Sequence, residues 1–113
     1  MLDSSPQTAP AFSHPGFARM FAPNRLSLGL MLPTSPLVDG VPDMSRQIEI
    51  AQRADALDYA ALWSRDVPLF DPNFGDAGQV YEPWVWLGAL AGSTSRIALS
   101  TAGIVLPLRH PLH

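Results

Sequence analysis

The chain has 113 residues, 47% of them apolar, with 7 basic against 10 acidic side chains and a net charge of −3. That composition allows one domain with a modest core and excludes a disordered or highly solvated protein. All seven basic residues are arginines spread singly along the chain, which excludes the clustered positive face of a nucleic-acid binder, and the absence of cysteine excludes disulfides and thiolate chemistry and agrees with a reducing, cytoplasmic location.

Residues 1–24 hold Pro6, Pro10, Pro15 and Pro23 among Ser, Ala and Thr, which sustains neither helix nor ladder and predicts a flexible leader. Phe12, Phe17 and Phe21 are the residues that would pin its later part to a surface. Asp3 and the lack of a basic, then apolar, opening argue against a secretory signal, and no stretch reaches the roughly 18 apolar residues of a membrane span, so no membrane partner is expected.

Arg25 to Leu32 alternates Leu26, Leu28, Leu30 and Leu32 with small residues, predicting a first strand covered on both faces and stopped by Pro33. A loop follows through Asp39 and Gly40. Met44 to Leu57 predicts a first helix capped by Asp43, with Met44, Ile48, Ala51 and Ala54 or Asp55 at helical spacing. It stops at Asp58, an unusual residue for a position that normally takes Gly or Asn. Tyr59 to Trp63 is a second strand, and Ser64 to Tyr81, with two prolines and two glycines, a long loop of the kind that often carries function.

Pro83 suits the first turn of a second helix over Trp84 to Ser93, with Glu82 beside its positive end. Trp84 and Trp86 are two apart on that helix, so they point in different directions and only one of them belongs to the core. Arg96 to Leu106 is a third, β-branched strand interrupted by the small pair Ala102 and Gly103. The order β-α-β-α-β implies parallel strands. A doubly wound sheet would need a G-x-G-x-x-G turn after strand one, which PTSPLVDG lacks, whereas the elaborated loop after strand two suits a TIM (β/α)₈ barrel.

Beyond Arg96 the residues become specific. STAGIVLPLRHP, Ser100 to Pro111, resembles the third strand and following loop of the luciferase-like monooxygenases, and the resemblance runs back through LGLMLP, QIEIAQRADALDYAALW and the segment from Asp66 to Leu99. It covers residues 25–113, read as the partial barrel domain, and leaves residues 1–24 outside. The resemblance implies a barrel that binds reduced FMN, or in one branch the deazaflavin F420, at the C-terminal strand ends, with O₂ and a small organic substrate as reactants. A whole barrel needs about 250 residues, so the expectation is an incomplete fragment with low or no activity, and with little of the phosphate grip. The competing reading is a non-catalytic fragment that acts as a homo-oligomerising module through its open strand edges.

The family commonly carries a non-prolyl cis peptide between two small residues of strand three, against which the flavin packs; by resemblance this falls on Ala102 and Gly103. Light-emitting members carry a catalytic His after strand two, where this chain has Val67, so light emission is not expected. Asp66, the carboxylate at that strand end, is the candidate catalytic residue, and Met31, Trp63, Ala102 and Gly103 are the candidate cofactor-binding residues, because parallel strands aim all their following loops to one end. His110 and His113 lack a third ligand and read as a surface pair, so no metal is expected.

Overall fold

A computed structural model describes residues 14–33, 37–38, 41–69, 71, 73 and 80–112. The expectations for residues 1–13, Asp39, Gly40, residues 70, 72 and 74–79 of the 64–81 loop, and His113 lie outside the described residues.

The elements are α1 (Pro15–Met20), β1 (Gly29–Leu32), a two-residue hairpin β2 (Leu37–Val38) and β3 (Val41–Pro42), α2 (Gln47–Ala56), β4 (Ala61–Ser64), α3 (Pro83–Ser93), β5 (Ala98–Thr101) and a 3₁₀ turn at Leu106–Leu108. Strands β1, β4 and β5 form one parallel sheet in that order, with Gly29, Ala61 and Ala98 side by side at its start and Leu32, Ser64 and Thr101 level at its end. The expected parallel β-α-β-α-β arrangement is present.

Leu32, Leu62 and Ile97 pack with Ala51 and Ala54 of α2 and with Trp86 and Leu90 of α3 in a single cluster. One cluster shared by both helices requires that α2 and α3 cover the same face of the sheet. Period 2 places Leu30, Leu62 and Leu99 toward the helices and Met31, Trp63 and Ser100 toward the other face. Trp86 enters the core while Trp84 stays exposed, as their two-residue spacing requires. Among the described residues no helix is long and apolar enough to cross a membrane.

The strands are shorter than the alternation predicts. Strand one begins at Gly29 rather than Arg25 because its partner ends there: the Ala60 amide donates to the Leu28 carbonyl, and residues 25–27 have no strand beside them, leaving Leu26 at 92% exposure. Strand three leaves the ladder after the Ala102 amide donates to the Ser64 carbonyl, because β4 stops at Ser64, so residues 103–106 turn away instead of extending the strand. Strand two likewise starts at Ala61, not Tyr59.

Helix α2 starts at Gln47 rather than Met44, and Asp43 does not cap it. The Asp43 carboxylate accepts from the Ser45 amide at 2.8 Å, a local turn that competes with helix, and Ile48 is exposed rather than buried. At the other end Asp58 adopts the left-handed conformation at φ 62°, and the Asp58 and Tyr59 amides donate back to the Asp55 and Ala54 carbonyls, closing the helix as glycine usually does. The Arg96 guanidinium lies 3.0 Å from the Asp58 carboxylate on the surface of this turn.

Within the stretch expected to be a leader, residues 15–20 form α1, whose Arg19 donates to the Arg96 carbonyl and pairs with Asp58. It lies so close to the start of β5 that a Cβ on Gly16 would collide with the Ala98 backbone nitrogen.

Asp55 joins helix to sheet. Its carboxylate accepts from the Ser95 amide at 2.8 Å and the Arg96 amide at 3.2 Å, with the Ser95 hydroxyl at 3.3 Å, while its side chain is only 10% exposed. Burial by itself raises its pKa, but the two amides, the hydroxyl and the Arg96 charge outweigh it and hold the group below the ordinary carboxylate value. Stability from a lowered carboxyl is present above its unfolded pKa and lost as pH falls through the folded one. Asp55→Asn is therefore expected to lower the unfolding free energy by about 2 kcal/mol at neutral pH. The deficit should shrink toward zero on acidification into that window, as read by urea denaturation of both proteins.

Candidate functional site

At the C-terminal ends of the strands lies an open groove of about 400 Å³, lined by Met31, Arg65, Asp66, Val67, Ala102, Gly103, Ile104 and Val105. Its position follows from the parallel sheet: β1 delivers Met31, the segment after β4 delivers residues 65–67, and the segment after β5 delivers residues 102–105. Of the five residues expected here, Met31, Asp66, Ala102 and Gly103 come together.

Trp63 does not line the groove. It shares the sheet face with Met31, but its indole lies over Gly29, where an added Cβ would sit 2.5 Å from Nε1. Gly29 is thus the space that the Trp63 ring occupies. Gly103 differs: an added Cβ there meets nothing within 4 Å, so that side of the groove is free of obstruction.

The peptide joining Ala102 to Gly103 is not cis; among the described residues the cis bond is Leu32–Pro33. A non-prolyl cis bond costs about 3 kcal/mol and persists only where packed neighbours enforce it, and Gly103 has none at its Cβ position.

Both oxygens of Asp66 are engaged. Arg109 donates to Oδ1 from Nη2 at 2.8 Å and to Oδ2 from Nε at 3.1 Å, and the Val105 amide donates to Oδ2 at 2.8 Å. The Arg109 hydrogen bonds hold the Asp66 carboxyl below its ordinary value; burial works in the opposite direction and is outweighed, with the Val105 amide and the Arg109 charge adding to the lowering. Asp66 is therefore an ionised hydrogen-bond acceptor at neutral pH, with no proton to give.

Arg109 and Glu82 were not anticipated as part of this region. Glu82 caps α3, accepting from the Val85 amide at 2.9 Å, and also receives Arg109. Among the described residues no group of three or more His, Cys, Asp or Glu gathers as a metal site, and His110 Nδ1 accepts from the Leu112 amide.

A family model described as luciferase-like monooxygenase matches residues 19–113. The alkanal monooxygenase alpha chain of the Kryptophanaron alfredi symbiont is 26% identical over 77 residues, which are 68% of this chain and 20% of that protein. The chain thus spans about a fifth of the length of the curated relative it matches.

Two glycine substitutions should separate packing from open space. Gly29→Ala forces the Trp63 ring aside and is expected to cost about 1–2 kcal/mol. Gly103→Val should leave stability within about 0.5 kcal/mol, because a Cβ there meets no neighbour within 4 Å. Urea midpoints with tryptophan emission as the signal give both values.

Proposed function

The chain belongs to the luciferase-like monooxygenase family, and on that premise we propose that its strand-end groove is one wall of a flavin site in a (β/α)₈ barrel. The cofactor is FMN, with F420 as the alternative, and the reaction class is flavin-dependent oxidation of a small organic substrate. The observation that carries this reading is the unobstructed side of the groove at Ala102 and Gly103, flanked by apolar Met31, Val67, Ile104 and Val105. A flat ring needs a wall without projecting side chains, and apolar neighbours keep water from its face.

When bound, the flavin would supply the redox chemistry with O₂. The chain's own residues bind and shield: Ala102 and Gly103 admit the ring, and Met31, Val67 and Ile104 exclude water. Asp66, ionised and held from two sides, fixes the wall instead of exchanging protons.

Among the described residues lining the groove, Arg65 and the Asp66 carboxylate are the charged groups, so little of a phosphate is matched here. Weak FMN binding by the 113-residue chain follows, with a Kd above about 10 μM, since each missing charge-assisted hydrogen bond removes about 1.5–3 kcal/mol. Quenching of FMN fluorescence on titration tests this. Weak binding that Gly103→Val abolishes is the expected outcome, and binding unaffected by that substitution would sink the placement of the ring.

A second reading, self-association, is favoured by the sheet itself. In the three-stranded sheet β1 and β5 are edge strands, and Met31 is 48% exposed. A second copy of the chain would satisfy the free edge groups and cover that apolar surface. Light scattering at micromolar concentration is expected to give a dimer or larger; a monomer across the accessible range would overturn it.

A further inference from the structure

Arg109 makes more contacts to the groove's frame than any role above requires. Its guanidinium grips Asp66 with two parallel hydrogen bonds and reaches Glu82 with the remaining terminal nitrogen. The Asp66 and Arg109 side chains are 4% and 15% exposed, so the pair is sheltered from solvent screening.

The two carboxylates stand on the two arms of one excursion. Asp66 immediately precedes Val67, and Glu82 closely follows Val80, and the Val80 amide donates to the Val67 carbonyl at 3.1 Å, closing the neck of the segment between them. A single guanidinium thus bridges both arms. Through the Val105 amide, which donates to the same Asp66 oxygen, it also fixes the turn that follows Ala102 and Gly103.

We propose that Arg109 is the positioning residue of the groove: it sets the distance between the segment after β4 and the segment after β5, and so the shape of the wall that a ligand meets. The planar fork is essential to this. A lysine ammonium is a point charge that reaches one carboxylate at a time and cannot hold two diverging arms in fixed register. The clamp concerns the same groove as the flavin reading, and only its ligand-binding test rests on that reading.

The test uses the full chain with Arg109→Gln, Arg109→Lys and Asp66→Asn, and reads amide hydrogen exchange at Val105 relative to Leu62 in the sheet core. General destabilisation accelerates Leu62, whose amide opens only with the sheet, whereas loss of the clamp accelerates Val105 without it. The ratio is expected to rise about tenfold in Arg109→Gln and in Asp66→Asn, no further when the two are combined, and to stay raised in Arg109→Lys, which keeps the charge but not the fork. Asp55→Asn, at the opposite end of the sheet, should not raise it. In parallel, Arg109→Gln is expected to raise the FMN dissociation constant about tenfold.

A Val105-to-Leu62 ratio within about twofold of the parent in Arg109→Gln, or full restoration by lysine, overturns the clamp. A raised ratio with unchanged FMN affinity overturns its positioning role. If the parent chain does not bind FMN at all, the flavin reading falls, and the exchange ratio alone decides the clamp.

Discussion

The structure depends on β4. This four-residue strand pairs on both sides, and Ala61, Leu62 and Ser64 are buried, so among the described strands it is the one whose neighbours are both fixed by backbone hydrogen bonds. Its length sets the length of the other two: β1 and β5 pair only where β4 offers amides and carbonyls, from the Leu28 carbonyl to the Ala102 amide. Because the pairing is parallel and in level register, three separate segments leave the sheet at the same height and in the same direction. The groove at Met31, Asp66 and Gly103 is the direct consequence.

The two ends of the sheet use carboxylates differently. At the start, Asp55 and Asp58 work with Arg96 and Arg19 to join the end of α2, the entry of β5 and helix α1. Asp55 takes two consecutive backbone amides, so it satisfies donors that a short helix-to-strand turn would otherwise bury without partners. At the far end, Asp66 takes one backbone amide and a two-pronged guanidinium that also reaches Glu82. The first network closes the fold where no loop is long. The second spans the mouth of the excursion between β4 and α3, where a single backbone bond, from the Val80 amide to the Val67 carbonyl, is joined by side chains in defining the spacing.

The groove divides its residues by task. Apolar Met31, Val67, Ile104 and Val105 supply surface, the small Ala102 and Gly103 supply access, and the ionised Asp66 supplies rigidity. On the proposed flavin reading, a bound cofactor would carry the reactive chemistry and the polypeptide would contribute shape and dryness. Trp63 shows how narrow the line between site and core is. It sits on the groove's side of the sheet one residue before Ser64, yet the space left by Gly29 draws its ring down against the sheet instead.

Much of this was legible in the sequence because it rests on local periodicity and on residues with restricted conformations. The alternation of Leu30 and Leu32, the divergence of Trp84 and Trp86 and the β-α-β-α-β order follow from 2.0 or 3.6 residue periods, Pro83 at a helix start follows from its fixed φ and missing amide hydrogen, and the parallel sheet follows from the element order. The blocks around Ser100 to Pro111 carried the family as well. What tertiary structure alone decided is where each period stops and what each charge meets. Leu26 and Ile104 belong to patterns as good as those of their neighbours, but strand ends are set by a partner strand whose own end lies some 35 to 40 residues away in the chain. Asp66 read as a lone carboxylate because its cation stands 43 residues later, and Asp55 read as one face of a helix because the amides it holds are 40 residues away. A period is a property of consecutive residues, whereas an ion pair across the mouth of a groove exists only once the sheet has brought its two halves together.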